Sequence, residues 1–64
     1  MIRDSRTIIK RLKADGWFKV ASAGDHFHFA HPSKPGKVTV PHPNKDIKMK
    51  TVRSIERQSG LSLR

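Results

Sequence analysis

The chain has 64 residues, no cysteine, and fourteen Lys and Arg against five Asp and Glu, a formal charge of +9. That length suits one domain over residues 1–64 with a thin core, since a chain of this size buries only about 60% of the surface its unfolded form exposes. The missing cysteines exclude a disulfide scaffold and every thiolate zinc site, and point to the cytoplasm. No segment has the roughly 20 apolar residues of a membrane span, and no apolar run of signal-peptide type follows the N-terminus.

Asp4 or Ser5 can cap a first helix that runs to about Asp15. Ile8, Ile9 and Leu12 fall on one side of it, with Arg6, Lys10 and Lys13 opposite. Gly16 suits the left-handed position just past a helix end. Residues 17–22 are rich in aromatic and β-branched types and read as a strand, with Trp17 placed in the core or at an interface. Ala23, Gly24 and Asp25 read as a tight turn. Residues 26–31 then alternate strictly, so Phe27 and Phe29 point one way while His26 and His28 point the other. Residues 32–36 form a second turn, and residues 37–40 a third strand with Val38 and Val40 on one side. Pro41 and Pro43 stop that strand, because proline cannot donate to a ladder. After a connecting loop, a second helix spans about Met49 to Ser59 and ends at Gly60. Met49, Val52 and Ile55 make its apolar side, and Lys50, Arg53 and Arg57 a basic stripe.

Short turns between the strands favour an antiparallel meander. The chain is therefore expected to be an α+β domain in α-β-β-β-α order. Its three-stranded sheet should carry both helices on the face of Phe27, Phe29, Val38 and Val40. The opposite face, with His26, His28, Lys37 and Thr39, is left for solvent or a ligand.

The charge points to polyanions: RNA, DNA, an acidic protein or an anionic membrane surface, and charge alone does not separate RNA from DNA. If the polyanion is RNA, the basic residues expected to meet it are Lys10, Lys13, Lys34, Lys37, Lys45, Lys50, Arg53 and Arg57. A single charged residue on a helix is usually just solvated, but a surface that only had to stay soluble would mix both signs. A membrane-surface helix would need Trp or Phe on its apolar side, and here the aromatics lie in the strands.

His26 follows directly on the Gly24-Asp25 turn, a position from which it can meet a substrate. Histidine takes and gives a proton near neutral pH. RNA supplies its own nucleophile, the 2′-hydroxyl, so a base and nearby cations suffice for cleavage and no metal or other cofactor is needed. The bland alternative is a solvated strand histidine, which is also the ordinary reading of His28. Asp25 is first a turn residue, and secondarily a group able to orient His26. The four histidines lack a carboxylate or thiol partner to complete a tetrahedral set, so no metal site is assigned.

These pieces stand in a familiar order. Asp15-Gly16-Trp17 leads to Gly24-Asp25-His26, then to His31-Pro32 and Gly36. Val38-Thr39-Val40-Pro41-His42-Pro43 follows, then Lys45-Asp46-Ile47, Thr51-Val52, Ser54-Ile55 and Ser59-Gly60-Leu61. Along almost its full length the sequence resembles the HicA toxins. That resemblance implies a fold like the double-stranded-RNA-binding domain. It also implies cleavage of mRNA with arrest of translation and growth, and a HicB-type antitoxin that binds the toxin and occludes its site. The family's activity depends on the histidine of a Gly-Ser-His turn, which implies a catalytic role for His26. Asp25 stands where serine is commoner, and Gly24 and His28 are at most supporting residues.

A second reading is a module that grips double-stranded RNA without cutting it. It is served by the same fold order and by a partial lysine cluster, Lys48 and Lys50, at the second helix. A helix-turn-helix on DNA needs two adjacent helices, whereas three strands separate these, so DNA enters only through the antitoxin.

Overall fold

In the computed structural model, which describes residues 1–64, Asp4 opens the first helix. Its carboxylate accepts the Thr7 N–H at 3.1 Å and the Thr7 hydroxyl at 3.0 Å, satisfying a donor at the start of α1 (Ser5–Ala14). These bonds hold the Asp4 carboxyl below its ordinary pKa. Gly16 then reverses the chain at φ +104°. Trp17 lies in the core, so β1 is Phe18–Ala23 and starts one residue later than the sequence suggests. β2 (His26–Ala30) and β3 (Val38–Pro41) complete an antiparallel sheet in the order β1-β2-β3; β3 lies one residue later than the sequence suggests, with Lys37 before it and Pro41, paired with His26, as its last residue rather than its stop. α2 (Met49–Ser59) ends on Gly60, left-handed at φ 74°.

The alternation along β2 places its residues as its sequence implies. Phe27 pairs with Val40 and Phe29 with Val38, on the side that both helices cover. Ile8 and Leu12 of α1 and Val52 and Ile55 of α2 close over Phe29, Val38 and Val40 in one cluster. His26 pairs with Pro41 and His28 with Thr39, on the other side.

Three further features stand out. Met49 is exposed, because the buried side of α2 is Val52, Ile55 and Ser59. The stretch before α2 and the C-terminal tail are structural: Ile47 and Leu63 are both core residues. Arg3 and Ile47 bond through their backbones at 2.9 Å, and the Ile2 N–H donates to the Leu63 carbonyl at 2.6 Å. The Leu63 N–H in turn donates to the Glu56 carboxylate at 2.8 Å. Finally, β1 contributes nothing to the core. All six of its residues are exposed, Phe18 by 50% and Val20 by 45%, and the register slips between Lys19 and Ala21. Neither helix is long and apolar enough to cross a membrane.

Candidate functional site

The β1–β2 connection is a two-residue turn. Gly24 occupies the first central position at φ +60°, where a side chain would be strained, and Asp25 takes the second. The Asp25 carbonyl accepts the His42 N–H at 2.7 Å, which ties the turn to the end of β3. His26 emerges from this anchored turn with its side chain 55% exposed. Its Nδ1 lies 3.3 Å from Asp25 Oδ1. At that spacing the Asp25 carboxylate is near enough to orient the ring.

The open face is not flat. α2 runs beside β3, and one of its polar sides reaches round to the histidine. Thr39 and Pro41 from the sheet, with Lys50, Thr51, Ser54 and Gln58 from α2, share a hollow of about 410 Å³ with His26. Nothing in its lining is apolar except the proline ring. It offers a titratable ring, an ammonium, three hydroxyls and an amide, which are the groups that meet phosphate and ribose. His28 borders this region, and its Nδ1 lies 2.9 Å from Thr39 Oγ1 in a cross-strand pair. It is half-buried and engaged there.

The basic residues expected to meet RNA do not form one surface. Lys50 shares the His26 hollow. Arg53 and Arg57 line another with Met1, Glu56 and Arg64. Lys13 lies between α1 and the sheet, and Lys45 beside Asp4 and Arg6. Lys10 and Lys37 are exposed and line none of these hollows. Lys34 is committed elsewhere: its Nζ donates to Asp15 Oδ2 at 2.6 Å and to the Ser59 carbonyl at 3.1 Å. That bond, with the Lys34 charge and the Trp17 N–H, holds the Asp15 carboxyl below its ordinary pKa. Only Arg3 and Lys34, of fourteen cations, have a carboxylate within 4 Å. The excess charge is therefore not neutralised within the chain.

Thr51, Ser54 and Gln58 carry no charge, so the basic stripe of α2 does not single them out as site residues. Ser54 and Gln58 follow Lys50 by four and eight residues, which makes the three one stripe.

The other two histidines are built into the fold. His31 Nδ1 accepts the backbone N–H groups of Ser33 and Lys34 at 3.0 and 3.2 Å. Its hydrogen therefore sits on Nε2, which donates to the Asp15 carbonyl at 2.7 Å. His42 Nδ1 lies 2.8 Å from Ser5 Oγ, itself buried. No three His, Asp or Glu side chains converge as metal ligands would.

Among curated proteins, none matches the chain. A family model, the HicA toxin of bacterial toxin–antitoxin systems, matches residues 5–61. That span runs from the first residue of α1 to just beyond α2 and includes every residue of the His26 hollow, so this chain belongs to the HicA toxin family.

Proposed function

We propose that this toxin is a metal-independent endoribonuclease that cleaves mRNA with His26 as general base and acid, so inhibiting translation and growth. The single observation behind it is the exposed His26 ring, on an anchored turn, sharing a polar hollow with Lys50. His26 Nε2 takes the proton of a ribose 2′-hydroxyl as that oxygen attacks the adjacent phosphorus. The bond from phosphorus to the 5′ oxygen breaks, and that oxygen takes a proton from water in the open hollow. The products are a 2′,3′-cyclic phosphate and a 5′-hydroxyl end, and the imidazolium, now the acid, returns its proton to the water that protonated the leaving oxygen. Lys50 stabilises the charge that gathers on the phosphate oxygens, while Thr51, Ser54 and Gln58 hold the ribose and phosphate. Base and cation are both side chains, so the scheme calls on no cofactor.

Lys10, Lys13, Lys37, Lys45, Arg53 and Arg57 guide the rest of the strand by charge. Lys34 is left out of this set because Asp15 already neutralises it. Membership of a toxin–antitoxin family implies a cognate antitoxin. We assign that partner to the HicB type, acting in the cytoplasm by covering the His26 hollow.

The test is incubation of the chain and its His26→Ala variant with an mRNA transcript in EDTA, followed by a denaturing gel. Cleavage by the first alone supports the proposal. Equal cleavage by both removes His26 from the chemistry. Intact RNA that both proteins shift on a native gel identifies a binding module instead.

A further inference from the structure

Behind the hairpin that carries His26, between α1 and the sheet, lies a second hollow of about 250 Å³. It opens on the other side of β2, because Phe27 alternates with His26 along the strand. Ile9 and Phe27, both half-buried, form its floor. His42 closes one end, its ring edge-on to Phe27 with centroids 4.9 Å apart. Ser5 holds that ring in place, since its hydroxyl meets Nδ1 and also accepts the Asn44 N–H at 2.9 Å.

Arg6, Lys13 and Lys19 stand around this floor, all exposed, and none has a carboxylate within 4 Å. Lys19 is the informative one. It pairs with Phe29, so it projects from the side of β1 that faces the helices, where an aliphatic residue would extend the core. Its Nζ instead lies 4.2 Å from the centre of the Phe27 ring. A lysine there keeps the hollow open, charged and aromatic at once.

We infer that this hollow binds one nucleotide of a single-stranded RNA. The base lies against Ile9 and Phe27, and the adjoining phosphates between Arg6, Lys13 and Lys19. The choice of RNA as ligand rests on the ribonuclease reading of the His26 site. A nucleotide carries a flat apolar ring and an anion at fixed spacing, and the hollow offers a partner for each. An acidic peptide would answer the cations and leave the aromatic floor bare. The bond from the His42 N–H to the Asp25 carbonyl places this hollow directly behind the turn that presents His26. An RNA strand passing round the hairpin end meets both.

The experiment is an NMR titration of the full chain with a 2′-O-methyl hexanucleotide, which binds but lacks the hydroxyl that cleavage needs. The Ile9 methyl and His42 ring signals should shift. The double variant Lys13→Ala/Lys19→Ala should lose those shifts while its amide spectrum keeps the folded dispersion. Its slope of log affinity against log salt should be shallower by about 1.4, at about 0.7 per single-strand phosphate contact. If only His26, Lys50 and Gln58 signals move while the wild type still cuts mRNA, the nucleotide site is overturned and the ribonuclease stands. If Ile9 and His42 move but mRNA stays whole, the hollow binds RNA and the cleavage reading falls. If a glutamate-rich hexapeptide moves Ile9 and His42 and the oligonucleotide does not, the hollow is a protein-docking site and the inference is overturned.

Discussion

Lys34 and Asp15, nineteen residues apart, meet at 2.6 Å and fasten the turn after β2 to the end of α1. The same ammonium reaches the Ser59 carbonyl at the end of α2, so one side chain joins three parts of the fold. Lys34→Ala should lower Tm by a few degrees at pH 7. The loss should depend on pH in a definite sense. The Asp15 carboxyl is held below its ordinary value of 3.8 by the bond from Lys34. A depressed acid stabilises the folded state above its unfolded pKa, and that contribution disappears as pH falls through the folded pKa. The Tm gap between wild type and variant should be full above about pH 5 and should close below about pH 4. Thermal melts across that range check this, and a gap that widens in acid contradicts it.

Gly16 has a stricter requirement than a helix end usually imposes. A Cβ built on it would lie 2.9 Å from His31 Nε2, the atom that donates to the Asp15 carbonyl. Gly16→Ala should therefore cost about 2–4 kcal/mol, combining the left-handed backbone with damage to a part-buried hydrogen bond. Urea titration measures it, and a cost below about 1 kcal/mol, what positive φ alone imposes at the low end, would mean that His31 moves aside freely.

Ile47 and Met49 provide a paired test of the core. Ile47 is 1% exposed and Met49 43%. Ile47→Ala should lose about 2–5 kcal/mol, which for a domain of this size comes close to unfolding it. Met49→Ala should stay within about 0.5 kcal/mol. Equal effects in chemical denaturation would place the loop and the helix start differently from the structure described.

Lys50 is the cation that shares the hollow with His26. On the proposed mechanism, Lys50→Ala should reduce kcat/KM for RNA cleavage about tenfold, an effect of ~1.4 kcal/mol on the transition state. Lys37→Ala, outside every hollow, should change it less than threefold, as one exposed phosphate contact does at moderate salt. Single-turnover cleavage assays separate the two, and identical losses would reduce Lys50 to a general electrostatic contact.

Local pattern carried far in this chain. The period-two alternation of residues 26–30 placed Phe27, Phe29, His26 and His28 on their observed sides, and Gly24-Asp25 marked the hairpin turn. Gly60 marked the end of α2. What local pattern does not encode is a partner distant in sequence. Lys34 looks like any surface lysine until Asp15 and Ser59 are brought beside it. Ile47 and Leu63 lie in segments without periodicity, and only the closure of the termini buries them. The polar side of α2 became part of the candidate site because α2 lies against β3, a packing choice that helix periodicity leaves open.

The two edges of the sheet are held very differently. β3 packs under both helices through Val38 and Val40, so its amides bonded to β2 should exchange with solvent only when the whole molecule opens. β1 buries none of its side chains and is kept mainly by its ladder to β2. It can peel away at a fraction of the global unfolding free energy, and its amides should exchange first. The hairpin bearing His26 thus has one compliant leg and one clamped leg. β2, fixed by Phe29, keeps the His26 imidazole in register with Pro41 and beside α2, while β1 gives way to whatever approaches from that side.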